Sequence, residues 1–199
     1  MNVILKTIIE FIVDVMETVI IALSIFVITY FFAFQPHEVS GHSMDGITNF
    51  QDGQYILTNK LSYRFGEPQR SDVIIFASPV RKGESYIKRI VGLPNEKIMI
   101  SDNKIYIYND EYPDGIILDE TAYLNPSVIT NVEAFMKEGE TVTIPEGYYF
   151  VMGDNRPHSS DSRAWGIVSK DSIKGKSYFR YWPANQMGLI KRPSTNLSN

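Results

Sequence analysis

The chain reads as a mainly β protein carried on one N-terminal transmembrane helix, with a variable cap inserted into the β part. Three observations predict this. Thr18 to Phe34 contains no charged residue and is rich in Ile, Val, Phe and Ala. From about Val39 onward, short runs of β-branched and aromatic residues are separated by Gly, Pro, Asn and Asp. Between Asn109 and Gly139 that rhythm fails, and Pro113 and Pro126 interrupt the segment.

Taken in order, the first element is the helix. Thr18 to Phe34, extended by Gln35 and Pro36, approaches the ~20 apolar residues that cross a bilayer core. Before it, Lys6, Glu10, Asp14 and Glu17 recur at helical spacing and share one face. Residues 1–36 are therefore expected to be an amphipathic lead-in and a transmembrane anchor ending near Pro36. An acidic lead-in and the lack of a small-x-small site after Phe34 argue against a cleaved leader. Lys6 is the sole cation before the span, so orientation is weakly marked, and N-in is an expectation only.

The strands follow. Runs at 55–58, 72–76, 86–91, 97–100, 104–108, 147–152 and 176–182 each have strand composition. Asp102-Asn103 reads as a hairpin turn and Ile173 to Lys176 as a break. Many short strands between turns point to a β-barrel or sandwich. The expected organisation is a β unit from 37–101 and 143–190, an inserted subdomain at 102–142 with a short helix near 132–137, and a mobile polar tail from 191 to 199. A net charge of −4 gives no basic signature for nucleic acid. The absence of cysteine removes disulfides and thiolate metal sites.

Chemistry concentrates in three segments. Ser43, in Ser40-Gly41-His42-Ser43-Met44, lies just past the anchor and is a candidate nucleophile. A serine hydroxyl needs a base. His42 adjoins Ser43 and would point to the opposite face of an extended segment. His37 lies six residues upstream. His158, with Asp161, could complete a triad only through tertiary folding. Lys88 lies in Tyr86-Ile-Lys-Arg-Ile-Val91; on a strand Lys88 and Arg89 face opposite ways, so one of the two must point inward. A buried lysine loses solvation, its pKa falls, and its neutral amine can accept a proton. Whether Lys88 or Arg89 is the buried one stays open on these grounds. The third segment, Met152 to Gly166, is dense in Gly, Asp, Asn, Ser and Arg, as in a hydrogen-bonded loop with ion pairs.

Together, Val39 to Met44, Tyr86 to Pro94 and Gly153 to Arg163 resemble, in order, the sequence boxes of bacterial type I signal peptidases, and Arg70 to Phe76 resembles that family's Arg-Gly-Asp-Val-Val-Phe strand. The resemblance implies a membrane-anchored Ser/Lys endopeptidase that removes signal peptides from exported preproteins after small residues, without cofactor or metal. It implies Ser43 as nucleophile, Lys88 as general base and Ser159 as the hydroxyl that orients the lysine. Asp161 and Arg163 would be a supporting pair, with Asp154, Asn155 and Arg156 shaping the loop. The Ser43 N–H would help bind the oxyanion; Gly41 stands where some members carry a second oxyanion-binding serine. Val39 and Ile87 match positions lining shallow pockets for the −1 and −3 residues, and Met44 and Tyr86 belong to the same substrate-binding surface. The implied partners are preprotein signal peptides and the lipid bilayer; the implied location is the bacterial cytoplasmic membrane, single-pass, with the catalytic domain on the extracytoplasmic face.

One departure stands out. Where the family has Ser-Met-x-Pro, this chain has Ser43-Met44-Asp45-Gly46, followed by a loop about two residues longer. Glycine frees φ where proline fixes it, so a looser turn is expected behind the nucleophile. The alternatives are a specialised Ser/Lys processing peptidase related to pilin or conjugation systems, a self-cleaving repressor, and a catalytically silent membrane module that binds extended peptides. A repressor should open on a DNA-binding helix-turn-helix, and a silent module should have lost Ser43, Lys88 or Ser159; neither holds.

Overall fold

In a computed structural model of the chain, residues 3–48, 50–194 and 197–198 are described. The lead-in and the apolar stretch form one continuous helix, α1 (Val3–Ala33), long and apolar enough to cross a membrane and exposed along nearly all of its length. At 1.5 Å per residue it is about 46 Å long, more than a ~30 Å hydrocarbon core requires. The helix stops at Ala33, earlier than Pro36. Phe34 already begins β1 (Phe34–Glu38), so the β region starts ahead of Val39. Pro36 is tolerated there because β1 is an edge strand, paired to β2 (Tyr55–Asn59) alone.

The remaining strands are β3 (Val73–Ala77), β4 (Ser85–Gly92), β5 (Lys97–Ser101), β6 (Lys104–Tyr108), β7 (Ile116–Leu118), β8 (Thr141–Thr143), β9 (Tyr148–Met152), β10 (Val168–Ser169), β11 (Ile173–Trp182), β12 (Gly188–Leu189) and β13 (Leu197–Ser198). They build two antiparallel sheets. The larger runs β1-β2-β11-β3-β4-β9-β10, with β12 added to β11; the smaller runs β13-β7-β6-β5-β8. The seven sequence-predicted strands all form, six of them within a residue of the expected ends. β11 begins three residues early, because the expected break at 173–176 is a register shift between Ile173 and Gly175 inside one strand. Asp102 and Asn103 both have positive φ (50° and 62°), as a two-residue type I′ hairpin turn requires. That turn joins β5 to β6, so the 101/102 position falls inside a hairpin.

No helix forms at 132–137. Val132 and Met136 have helical spacing, and both pack on the core of the smaller sheet. The Phe135 N–H, however, donates to the Arg163 carbonyl at 2.8 Å, a tertiary bond in place of a helical one. β3 is apolar on both faces: Val73 and Ile75 join a cluster with Val39, Met44, Phe50, Ile56 and Ile87, while Ile74 and Phe76 join Ile90, Tyr149 and Val151. β4 lies between β3 and β9 in the sheet, and from Ile87 to Gly92 its residues are buried on both faces. Aromatic contacts connect the helix end to the larger sheet: Tyr30 to Phe34 at 5.9 Å and Phe34 to Tyr178 at 5.7 Å between ring centroids.

Candidate active site

The covered, central position of β4 determines the site. Lys88 and Arg89 are both buried, at 4% and 1% exposure, so the expectation that a single one points inward is corrected. Each finds a different partner. Lys88 Nζ donates to Ser43 Oγ at 2.6 Å and lies 5.7 Å from the Tyr86 ring centroid. Burial pushes the Lys88 pKa down to about 8, against the opposing pull of Asp161 and Asp154. About a tenth of the amine is therefore neutral at pH 7, and half of it near pH 8. A neutral amine within hydrogen-bond reach of a serine hydroxyl can take its proton.

Arg89 is held by Asp154 through two bonds, Nε to Oδ1 at 2.8 Å and Nη2 to Oδ2 at 2.6 Å. Thr48, from the loop after Ser43, donates to Asp154 Oδ2 at 2.7 Å, and the Ser71 carbonyl accepts from Arg89 Nη1 at 2.9 Å. Bidentate geometry is what allows a guanidinium this deep. Asp154 thereby ties β4 to the nucleophile loop. Asn155 ties it a second time: its N–H donates to the Ser43 carbonyl at 3.1 Å and its side-chain Nδ2 to the His42 carbonyl at 2.9 Å.

Asp161 and Arg163 form the third buried pair. Arg163 Nε and Nη2 each donate to Asp161 at 2.8 Å. The remaining capacity of Asp161 Oδ2 accepts from the Gly153 N–H at 3.0 Å. Asp161 is thus engaged with backbone and arginine and is not turned to His158, which is exposed. The other histidines are also outside a catalytic arrangement with Ser43: His42 is exposed and bonded to Asp45 at 2.9 Å, and His37 Nδ1 lies 3.0 Å from Thr58 Oγ1, with burial lowering its pKa. Ser159 is buried across Gly153 from Ser43, but its Oγ has no hydrogen-bond partner among the described residues, so the expected bond from Ser159 to the Lys88 amine is corrected: that amine is bonded to Ser43 Oγ instead.

Gly153 is where Ser43 and Ser159 converge. A Cβ there would strike both Ser159 Oγ and the Ser43 carbonyl oxygen. Gly153→Ala is accordingly expected to lower turnover by roughly tenfold to a hundredfold through displacement of the reacting groups, measured as kcat on a peptide substrate alongside thermal melting. Gly46 has a similar cause. A Cβ at Gly46 would sit 3.3 Å from Asp154 Cβ and 3.7 Å from the Tyr123 carbonyl. At Gly46 the backbone thus packs close to Asp154, and Met44 and Phe50 are buried on either side, while Gly46 and Ile47 themselves are exposed. Asn49, within that turn, lies outside the described residues, as do 195, 196 and 199 of the expected tail; Leu197 and Ser198 pair with β7.

Sequence reasoning missed the clamp supplied from 102–142. Glu120 accepts from Arg156 Nη1 at 3.0 Å and also pairs with Nη2; Thr130 Oγ1 accepts from Nη1 at 2.6 Å. Tyr123 donates to Glu120 at 2.6 Å while its ring lies 4.3 Å from the Arg89 guanidinium carbon. No local pattern marks Glu120, Tyr123 or Thr130 in the sequence.

Beside Ser43 and Lys88 opens a cavity of about 230 Å³ lined by Val39, Ile56, Ile75, Tyr86 and Ile87. Val39, Tyr86 and Ile87 thus lie at the cavity. Met44 does not line it; it packs in the apolar cluster with Val39, Ile56, Ile75 and Ile87. Ile56 and Ile75 are additional walls the sequence did not single out. The cavity has an apolar wall of Val39, Ile56, Ile75 and Ile87 and a polar rim that includes His37, Glu38, Ser40 and Ser85; such a recess beside a serine–lysine pair can accept a small side chain and reject a large one by clash.

Comparison with known proteins adds to this geometry. Residues 12–182 match the family model described as signal peptidase, peptidase S26. The chain is 28% identical over 188 residues to the probable signal peptidase I-1 of Synechocystis, covering 91% of this chain and 88% of that protein. It is 29% identical over 187 residues to signal peptidase IB of Staphylococcus aureus, covering 87% and 92%. A crystal structure of a signal peptidase I from Enterococcus faecalis aligns at 34% identity, a TM-score of 0.42, and coverage of 56% of this chain and 97% of that one. With most of its length matched by one family model, this chain belongs to the signal peptidase family, peptidase S26.

Proposed function

We propose that this chain is a membrane-anchored serine endopeptidase that removes signal peptides from exported preproteins, cutting after small residues of the Ala-x-Ala type. In this reading α1 makes a single pass through a bacterial cytoplasmic membrane and the β sheets lie on its extracytoplasmic face. The observation that supports the chemistry is the 2.6 Å hydrogen bond between the buried Lys88 amine and Ser43 Oγ at the mouth of the apolar cavity.

In the proposed mechanism the neutral Lys88 amine takes the Ser43 proton as Oγ attacks the scissile carbonyl. The Ser43 N–H helps stabilise the oxyanion. Lys88 then returns its proton to the departing amine of the mature protein, leaving the signal peptide acylated on Ser43. A water deprotonated by Lys88 releases it. Substrate lies extended, so alternate side chains enter the Val39, Ile56, Ile75 and Ile87 recess. Ser159, Asp161, Arg163, Asp154 and Asn155 act as positioning residues.

The test is cleavage of a preprotein carrying an Ala-x-Ala site by the detergent-solubilised chain. Wild type is expected to cut after the second alanine and Ser43→Ala to be inactive. Cleavage by Ser43→Ala at the wild-type rate, or no cleavage by folded wild type, would overturn the reading.

A further inference from the structure

A second cleft, of about 370 Å³, opens where Thr48 and Phe50 meet residues 186–191. Its charge is unbalanced. Arg89 reaches its wall but is neutralised by Asp154. Arg180 and Lys191 also line it, no carboxylate does among the described residues, and neither of these two cations has an ion-pair partner there. Arg180 donates a long 3.3 Å bond to the Thr48 carbonyl and lies 5.4 Å from the Phe50 ring centroid. Its Nε is buried without an acceptor. Arg180 is half-buried, with one covered donor unpaired and no carboxylate beside it, a deficit that an anion in the cleft would offset. Burial also lowers the Arg180 pKa, consistent with the same deficit.

The surroundings choose among anions. The guanidinium fork matches phosphate geometry. The rim is apolar, with Met187 and Leu189 exposed at 56% and 59%. Tyr178, two residues before Arg180 on β11, touches Phe34, the first residue after α1. The cleft thus combines a phosphate-matching cation and an apolar edge, on the strand whose Tyr178 touches the end of the apolar helix. We propose that this cleft binds an anionic phospholipid, its phosphate on Arg180 and Lys191 and its glycerol and upper acyl chain against Met187 and Leu189.

The full chain is reconstituted in phosphatidylcholine nanodiscs containing a minor fraction of phosphatidylglycerol, and co-released lipid is counted by native mass spectrometry. Wild type is expected to retain phosphatidylglycerol in preference to phosphatidylcholine. Retention should fall roughly tenfold or more in Arg180→Gln, as loss of a charge-assisted bond predicts, and should fall also in Lys191→Gln. Inorganic phosphate added as competitor should reduce it. Equal retention by wild type and Arg180→Gln overturns the proposal. If Arg180→Gln does not melt cooperatively, unchanged retention by Lys191→Gln overturns it instead. Binding of inorganic phosphate with no retained phosphatidylglycerol overturns the lipid assignment in favour of free phosphate. The readout is lipid retention, so it stands or falls independently of peptide cleavage.

Discussion

Lys88→Met is expected to abolish cleavage and, at neutral pH, to make the protein more stable. The first half follows from the proposed role of the amine: general-base removal costs roughly 10²–10⁴-fold in rate, read as kcat/KM on an Ala-x-Ala substrate. The second half follows from burial. Folding pushes the Lys88 pKa from its ordinary value of 10.5 to about 8. Between those two values the unfolded chain binds the proton and the folded chain does not. Stability therefore falls as pH drops from above 10.5 to about 8, and below 8 the full penalty is present. A methionine has a similar length and no charge, so it removes a penalty of roughly 3 kcal/mol. Chemical denaturation at pH 7 should show the gain, and at pH 11 the two proteins should converge. The wild-type rate should rise about tenfold per pH unit below 8 and level off above it. Lys88→Arg should be inactive at every pH because a guanidinium stays protonated. A Lys88→Met protein that cleaves normally, or a wild-type profile flat from pH 6 to 8, would remove Lys88 from the mechanism.

The same residue shows what was legible in the sequence. Strand composition located β4, and the chemistry of lysine made Lys88 a candidate base. What the strand could not reveal was its place in the sheet. A half-covered strand buries one of two successive side chains; β4 has loop residues against both faces, Ser43 over Lys88 and Asp154 with Tyr123 over Arg89, and buries both. Order of segments likewise brought Ser43, Lys88 and the 153–163 loop into one reading, while the residues that clamp the loop stayed hidden. Glu120 and Thr130 reach Arg156 across 36 and 26 positions, from a segment with neither helical nor alternating pattern. The expected helix at 132–137 failed for a related reason: periodicity recorded which side chains are buried, and tertiary hydrogen bonding to Arg163 decided the backbone. Gly46 is instructive in the other direction. Its presence in place of proline was visible, and its meaning, close packing on Asp154, depended on a residue 108 positions away.

Asp154→Ala is expected to be the most destabilising single change near the site. Asp154 supplies both carboxylate oxygens to Arg89, and the two side chains are each 1% exposed. Removing it leaves a buried guanidinium with the Ser71 carbonyl, Thr48 Oγ1 and the Tyr123 ring as its remaining contacts. Breaking a buried pair from one side costs about 3–5 kcal/mol, which for a domain of this size lowers Tm by roughly 10 °C. Replacing both partners by apolar residues, Asp154→Leu with Arg89→Met, removes the orphaned charge and should recover most of that loss. Activity should not recover with it. Thr48 would lose its acceptor, and the link from β4 to the loop after Ser43 would be gone, although the Asn155 bonds to Ser43 and His42 remain. A double variant that regains stability and stays slow in kcat would separate the two roles of the pair: its charge is a burden the fold must balance, and its geometry is what holds the nucleophile loop against the strand bearing Lys88. Recovery of both together would show that the pair matters only for folding.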